Sequence, residues 1–231
     1  MLKNMKGIQI MKIAIPELKY QKNYYAALSR LGAEGIRIAD ALSFDPRDFD
    51  GLLIPGGVDI HPSIFGEEIN GSRAIDPTLD YLQFFALDKC IKAEKPVLGI
   101  CRGHQVLAAY FGCRLLQDIG EAGNEVHTKK VLADPDKIHP VKAVPGTLLH
   151  SLFGPDFSVN SSHHQAVREE SGSYRIMATS EDGFVEAMYH ESLPVFSTQF
   201  HPERMCYDFA DDRYADGSLI LKEFLKRCAA V

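Results

Sequence analysis

The chain has 231 residues, 45% of them apolar and 24% charged, a balance that fits a folded globular protein and excludes disorder or a fibrous repeat. With 25 Lys and Arg against 31 Asp and Glu, the formal net charge of −6 argues against broad electrostatic binding to nucleic acid or anionic lipid. Five cysteines without a Cys-x-x-Cys pair exclude a short-chain disulfide framework and fit a reducing compartment.

The first 15 residues carry only a short apolar run broken by Lys6, Gln9 and Lys12, so neither a signal peptide nor a membrane span is expected and the reading is cytoplasmic. An apolar strand is expected over 8–15, with residues 1–10 as an edge extension and Met5 and Met11 as alternative starts. A helix over 22–32 closes at Gly32, and strands follow at 35–39 and 51–54, the second stopped by Pro55-Gly56-Gly57. Between 78 and 93, Leu79, Leu82, Phe85, Ala86 and Ile91 recur near a 3.6 period and predict a helix. A strand over 97–100 then runs into a helix over 102–111 that closes at Gly112. This alternation predicts an α/β fold, a mostly parallel central sheet with helices on both faces. The second half reads as strands at 126–132, 139–144, 157–160, 174–179, 184–189 and 195–200, then an amphipathic helix over 217–227. No linker or repeat divides the halves, so one domain over 1–231 is expected.

The most informative stretch is Lys-Pro-Val-Leu-Gly-Ile-Cys-Arg-Gly-His-Gln, 95–105. Gly99-x-Cys101-x-Gly103 is the thiol counterpart of the Gly-x-Ser-x-Gly turn, in which a strained strand-to-helix reversal lifts a nucleophile above a sheet. The glycines leave room where strand and helix approach, and the helix N-terminus favours a thiolate and can hold an oxyanion. Cys90, Cys113, Cys206 and Cys228 have no such surroundings and read as buried bystanders. A cysteine nucleophile needs a base, and the base an orienting group. Val195-Phe-Ser-Thr-Gln-Phe-His201-Pro-Glu203 supplies both: if the strand persists, His201 and Glu203 project to one side at the two-residue period.

With these residues assembled, the chain resembles the class I glutamine amidotransferase-like superfamily, and within it the γ-glutamyl-γ-aminobutyrate hydrolase group. The resemblance runs from about residue 50 to 203 and rests on four blocks in order: Leu-Ile-Pro-Gly-Gly-Val-Asp-Ile-His-Pro-Ser-Ile-Phe-Gly-Glu (53–67), Pro-Val-Leu-Gly-Ile-Cys-Arg-Gly-His-Gln (96–105), Val-Asn-Ser-Ser-His-His-Gln-Ala-Val (159–167) and Gln-Phe-His-Pro-Glu (199–203). It implies a Cys101–His201–Glu203 triad that cleaves a γ-glutamyl amide through a thioester, with an oxyanion hole from the backbone N–H groups of Gly57 and Arg102. It further implies that Gln105, His164 and Gln165 belong to the glutamyl pocket. Leu79-Asp80 stands where close relatives tend to carry Arg-Asp, Phe65 where Tyr is usual and Phe200 where Trp is common, departures that bear on the leaving amine.

The alternative is a glutaminase subunit that passes ammonia to a separate synthase partner, since the same triad serves both reactions. A metal site is not expected, because there is no His-Glu-x-x-His and no second soft ligand near Cys101 in sequence. A catalytically silent binding protein is disfavoured by the intact triad. No organic cofactor is expected, because neither Gly-x-Gly-x-x-Gly nor a phosphate loop is present. The expected partner is a small γ-glutamyl substrate, with a homo-oligomer left open and no nucleic acid or membrane.

Overall fold

The protein is described here by a computed structural model covering residues 10–131 and 134–230. In chain order the elements are β1 (Met11–Pro16), α1 (Lys22–Arg30), β2 (Ala33–Ile38), β3 (Gly51–Ile54), α2 (Pro77–Lys92), β4 (Val97–Ile100), α3 (Arg102–Tyr110), β5 (Leu115–Leu116) and α4 (Gly120–His127). They continue with β6 (Lys137–Ala143), α5 (Leu148–Phe153), β7 (Asp156–Ser161), β8 (Ala166–Val167), β9 (Tyr174–Ser180), β10 (Val185–His190), β11 (Val195–Thr198) and α6 (Ser218–Cys228).

All described strands join one sheet whose main path runs β2-β1-β3-β4-β11-β10-β9-β6-β7. From β2 to β11 every pairing is parallel, and from β11 to β7 every pairing is antiparallel. The parallel core expected from the strand–helix alternation is thus present, and an antiparallel wing extends it. The central strands β3, β4 and β11 are buried along their whole length, as continuous apolar runs must be when helices cover both faces. Separate cores form on the two faces. Tyr24 and Leu28 of α1 meet Phe224 of α6 over one, and Leu82 of α2 meets Leu107 of α3 over the other.

The strand expected at 126–132 is not formed: residues 120–127 are the helix α4, and no strand follows before Lys137 among the described residues. The Asp118 carboxylate accepts the Gly120 N–H at 2.8 Å and a side-chain N–H of Asn124 at 2.8 Å, which starts and braces the helix. Gly123 and His127, at i, i+4, are then its buried residues, whereas the strand-like Val126 faces outward. The strand expected over 195–200 stops at Thr198. The proposed edge extension lies outside the described residues except for Ile10.

Candidate active site

The C-terminal ends of three neighbouring strands, β3, β4 and β11, form the site, where α/β sheets place their ligands. Cys101 lies between β4 and α3 with φ 54° and ψ −105°, a left-handed conformation costly for a residue with a Cβ. Its N–H donates to the Thr198 carbonyl at 2.8 Å, pinning the turn to β11. The flanking glycines have the steric role expected of them. A methyl on Gly99 would overlap the Gly103 carbonyl, and one on Gly103 would overlap the Ile54 carbonyl.

His201 begins a 3-10 turn, Pro202–Arg204, rather than continuing a strand. The turn, not a two-residue strand period, brings His201 Nδ1 and Glu203 Oε1 to 2.8 Å, both groups buried. Asn160 of β7 clamps the base from behind: its Oδ1 accepts the His201 N–H at 2.8 Å and its Nδ2 donates to the His201 carbonyl at 3.1 Å. Asn160 stands in one of the sequence blocks without any sign there of this role, and Tyr24 gives no sequence signal at all. The Tyr24 hydroxyl accepts the Gly56 N–H at 2.8 Å and lies 3.5 Å from His201 Nδ1.

Burial alone would raise the Cys101 thiol, but the neighbouring positive groups, His201 foremost, together more than offset it and hold the thiol below its usual range. Against its own burial and the Arg204 charge, His201 is raised to about 9 by Glu203 and Cys101. The two groups favour a thiolate–imidazolium pair. The other cysteines go the opposite way. Burial pushes Cys90, Cys206 and Cys228 up to about 12 and Cys113 to about 11. His104 is no competing base: burial drops it to about 3, and its Nδ1 is 2.7 Å from Ser197 Oγ, within the core.

The loop after β3 is gripped from two sides. Gln21 Nε2 donates to the Gly56 carbonyl at 2.9 Å while Tyr24 receives the Gly56 N–H. The buried Arg102 guanidinium donates to Asp80 at 2.7 Å, Gln83 at 2.9 Å and the Val58 carbonyl at 3.0 Å. It thereby fastens the loop to α2. Among the described residues, the N–H groups of Gly57 and Arg102, the pair expected to hold an oxyanion, make no intramolecular hydrogen bond.

A cavity of about 590 Å³ opens over these groups, lined by Tyr24, Gly56, Gly57, Cys101, His201 and Glu203, with Tyr20, Gln21, Lys22, Asn23, Ser162 and Arg204 around them. Gln105, His164 and Gln165, expected in the glutamyl pocket, are not among its walls. Gln105 is buried and donates to Gln199 at 3.2 Å. Gln165 donates to Ser72 at 2.9 Å, and His164 Nε2 pairs with Asp59 at 2.9 Å. These side chains tie the surrounding loops together through hydrogen bonds to Gln199, Ser72 and Asp59.

Residues 41–203 match the Peptidase C26 family. The chain is similar to a Lactococcus lactis protein named as glutamine amidotransferase-like, YvdE, at 32% identity over 156 residues, covering 67% of this chain and 66% of that protein. It thus spans about two thirds of that relative's length. It is 33% identical over 133 residues to a glutamine-hydrolyzing GMP synthase subunit of Pyrococcus abyssi, covering 58% and 60% of the two chains. The crystal structure of a Thermoplasma acidophilum protein, described as a GMP synthase subunit, has the same fold, with a TM-score of 0.68 over 96% of this chain and 95% of that one, at 20% identity.

Proposed function

We propose that this chain, which belongs to the Peptidase C26 family and has the class I glutamine amidotransferase-like fold, hydrolyses a γ-glutamyl amide through a thioester on Cys101. The observation that carries the reading is the strained Cys101 turn facing a His201–Glu203 pair held at 2.8 Å on the adjacent strand end.

In this reading the Cys101 thiolate attacks the side-chain carbonyl carbon and a C–S bond forms. The negative charge that develops on oxygen is held by the N–H groups of Gly57 and Arg102, and removing one such donor typically costs about 10²–10³ in kcat. As the C–N bond breaks, the His201 imidazolium gives its proton to the leaving amine. His201, now neutral, takes a proton from water as the water oxygen bonds to the thioester carbon, and the C–S bond breaks to release glutamate, its acid proton lost to solvent, and restore the Cys101 thiolate. Glu203 orients the imidazole and stabilises its charged form. Lys22 and Arg204 offer positive charge along the cavity for a substrate carboxylate. Gln105, His164 and Gln165 act from behind the walls, by fixing the loops that shape them. The substrate favoured is γ-glutamyl-γ-aminobutyrate or a related γ-glutamyl amine.

The similarity to glutamine-hydrolyzing GMP synthase subunits favours a second reading, a glutaminase that hands ammonia to a separate synthase. A panel of γ-glutamyl amides assayed with the purified chain alone separates the two. The first reading expects glutamate release from γ-glutamyl amines, lost in Cys101→Ala. Silence toward the panel, with glutamine hydrolysed only when a partner is added, would favour the second.

A further inference from the structure

The structure assigns a second centre to this chain: we propose that His127, His139, His163 and Glu186 bind one divalent transition-metal ion, best matched by Zn²⁺. The four side chains come from the end of α4, from β6, from the segment between β7 and β8, and from β10, and each offers a ligand atom within 4.8 Å of the others. All four residues are buried, Glu186 and His127 completely.

The distances fit a metal better than a hydrogen-bonded network. Glu186 Oε1 lies 3.6 Å from His127 Nδ1, 3.5 Å from His139 Nε2 and 3.7 Å from His163 Nε2, beyond ordinary N–H···O range in every case. Ligands bound to Zn²⁺ at about 2.0–2.1 Å in a tetrahedron stand about 3.4 Å from one another. Both Glu186 oxygens, His139 Nε2 and His163 Nε2 lack a hydrogen-bond partner, although they are buried polar atoms that must be satisfied.

The outer contacts orient these lone pairs inward. His163 Nδ1 is 2.8 Å from the Gln165 carbonyl, and His139 Nδ1 is 3.1 Å from the Pro140 carbonyl. A ring nitrogen facing a carbonyl must carry the proton, which leaves each Nε2 as an acceptor directed at the cluster. On His127 the far nitrogen, Nε2, meets the Asp182 carboxylate at 3.0 Å, so Nδ1 is again the inward acceptor. Ser161 Oγ, 3.3 Å from that Nδ1, has a nearer acceptor for its hydrogen in the His127 carbonyl at 3.1 Å. Three imidazoles and one carboxylate suit Zn²⁺ or a neighbouring borderline cation, and four protein ligands without an open position make the site structural.

Its place in the fold gives it work to do. His163 follows Ser162, a wall of the active-site cavity, and the Glu186 carbonyl accepts the N–H of Gln199 at 2.8 Å, just ahead of His201. A metal here would lock the antiparallel wing against the strand end that carries the base. The inference is independent of the reaction proposed above.

The test is metal content of the untagged chain by elemental mass spectrometry after dialysis, with about one Zn²⁺ per chain expected. Glu186→Gln and His139→Asn, where they fold, should each lower this to less than about a tenth. Chelator-stripped wild type provides a route that needs no variant. Co²⁺ alone should produce the visible bands of four-coordinate cobalt, saturating at one equivalent, and Zn²⁺ should abolish them and raise the melting temperature. Wild type that neither retains nor takes up metal, or folded variants that keep their full complement, would overturn the assignment.

Discussion

Cys101 differs from its four fellow cysteines in what surrounds it. All five are buried and free, so burial alone would make each inert. Only Cys101 faces a protonated imidazole, which holds its thiol low while the others sit at about 11 to 12. Iodoacetamide at pH 7 should therefore alkylate Cys101 at least about a hundredfold faster than the rest, as peptide mapping over time would reveal. The partner, His201, contributes a pH limit. In the proposed mechanism its imidazolium supplies the proton for the leaving amine, so kcat/KM should fall as pH rises through about 9.

The same two groups set a stability profile. His201 holds its proton more tightly when folded, so its contribution is complete below pH 6.5 and is lost as pH rises through about 9. Cys101 is the reverse: its contribution is present above pH 9.0 and is lost as pH falls through its lowered pKa. Between 6.5 and 9.0 the falling His201 contribution and the rising Cys101 contribution oppose each other, and well above 9 both groups are deprotonated in the folded and the unfolded chain alike. The urea midpoint of wild type relative to a Cys101→Ala/His201→Gln variant should therefore level off above about pH 9, and a continued decline there would contradict the assignment.

At the level of elements, the site depends on how closely β3, β4 and α3 approach. Gly103→Ala drives a methyl into the Ile54 carbonyl, backbone that cannot swing aside, and should destabilise by about 1–3 kcal/mol or more. Asp80→Ala strands the Arg102 guanidinium as a buried charge, with a loss of about 3–5 kcal/mol expected. Both effects are measurable by chemical denaturation, and both should also lower activity through the loop Arg102 fastens. The strand–helix alternation made β1 to β4 and α1 to α3 legible in the sequence, because buried parallel strands are continuous apolar runs, α2 keeps a near-3.6 apolar period, and α1 and α3 end at Gly32 and Gly112. It misled at α4, where Val126, Thr128 and Val131 look strand-like while the Asp118 hydrogen bonds to Gly120 and Asn124 and a buried i, i+4 pair decide for helix. β5 and β8 are two residues each, too short to leave a pattern.

Across the whole molecule, the parallel half supplies Cys101 and the loop after β3, and Asn160 of the antiparallel wing holds the His201 backbone in place. Cys101, His201 and Glu203 were legible because glycines and a proline mark their turns. Asn160 and Tyr24 were not, since they act on backbone groups 41 and 32 positions away, and a sequence pattern carries no trace of such pairings. The His127–Glu186 cluster was hidden for the same reason, its members scattered over four elements without a short spacing motif. In the proposed reading the net charge of −6 bears least on function, because an anionic substrate would be met locally by Lys22, Arg204 and backbone N–H groups and not by the field of the whole protein.

The central claim is that Cys101 carries the glutamyl group. It is tested most directly by acid-quenching the chain during turnover of γ-glutamyl-γ-aminobutyrate and mapping the peptides by mass spectrometry. The peptide containing Cys101 should bear a glutamyl adduct that is absent from Cys101→Ala, which should release no glutamate. An adduct on Cys90, Cys113, Cys206 or Cys228, or undiminished glutamate release by Cys101→Ala, would contradict it.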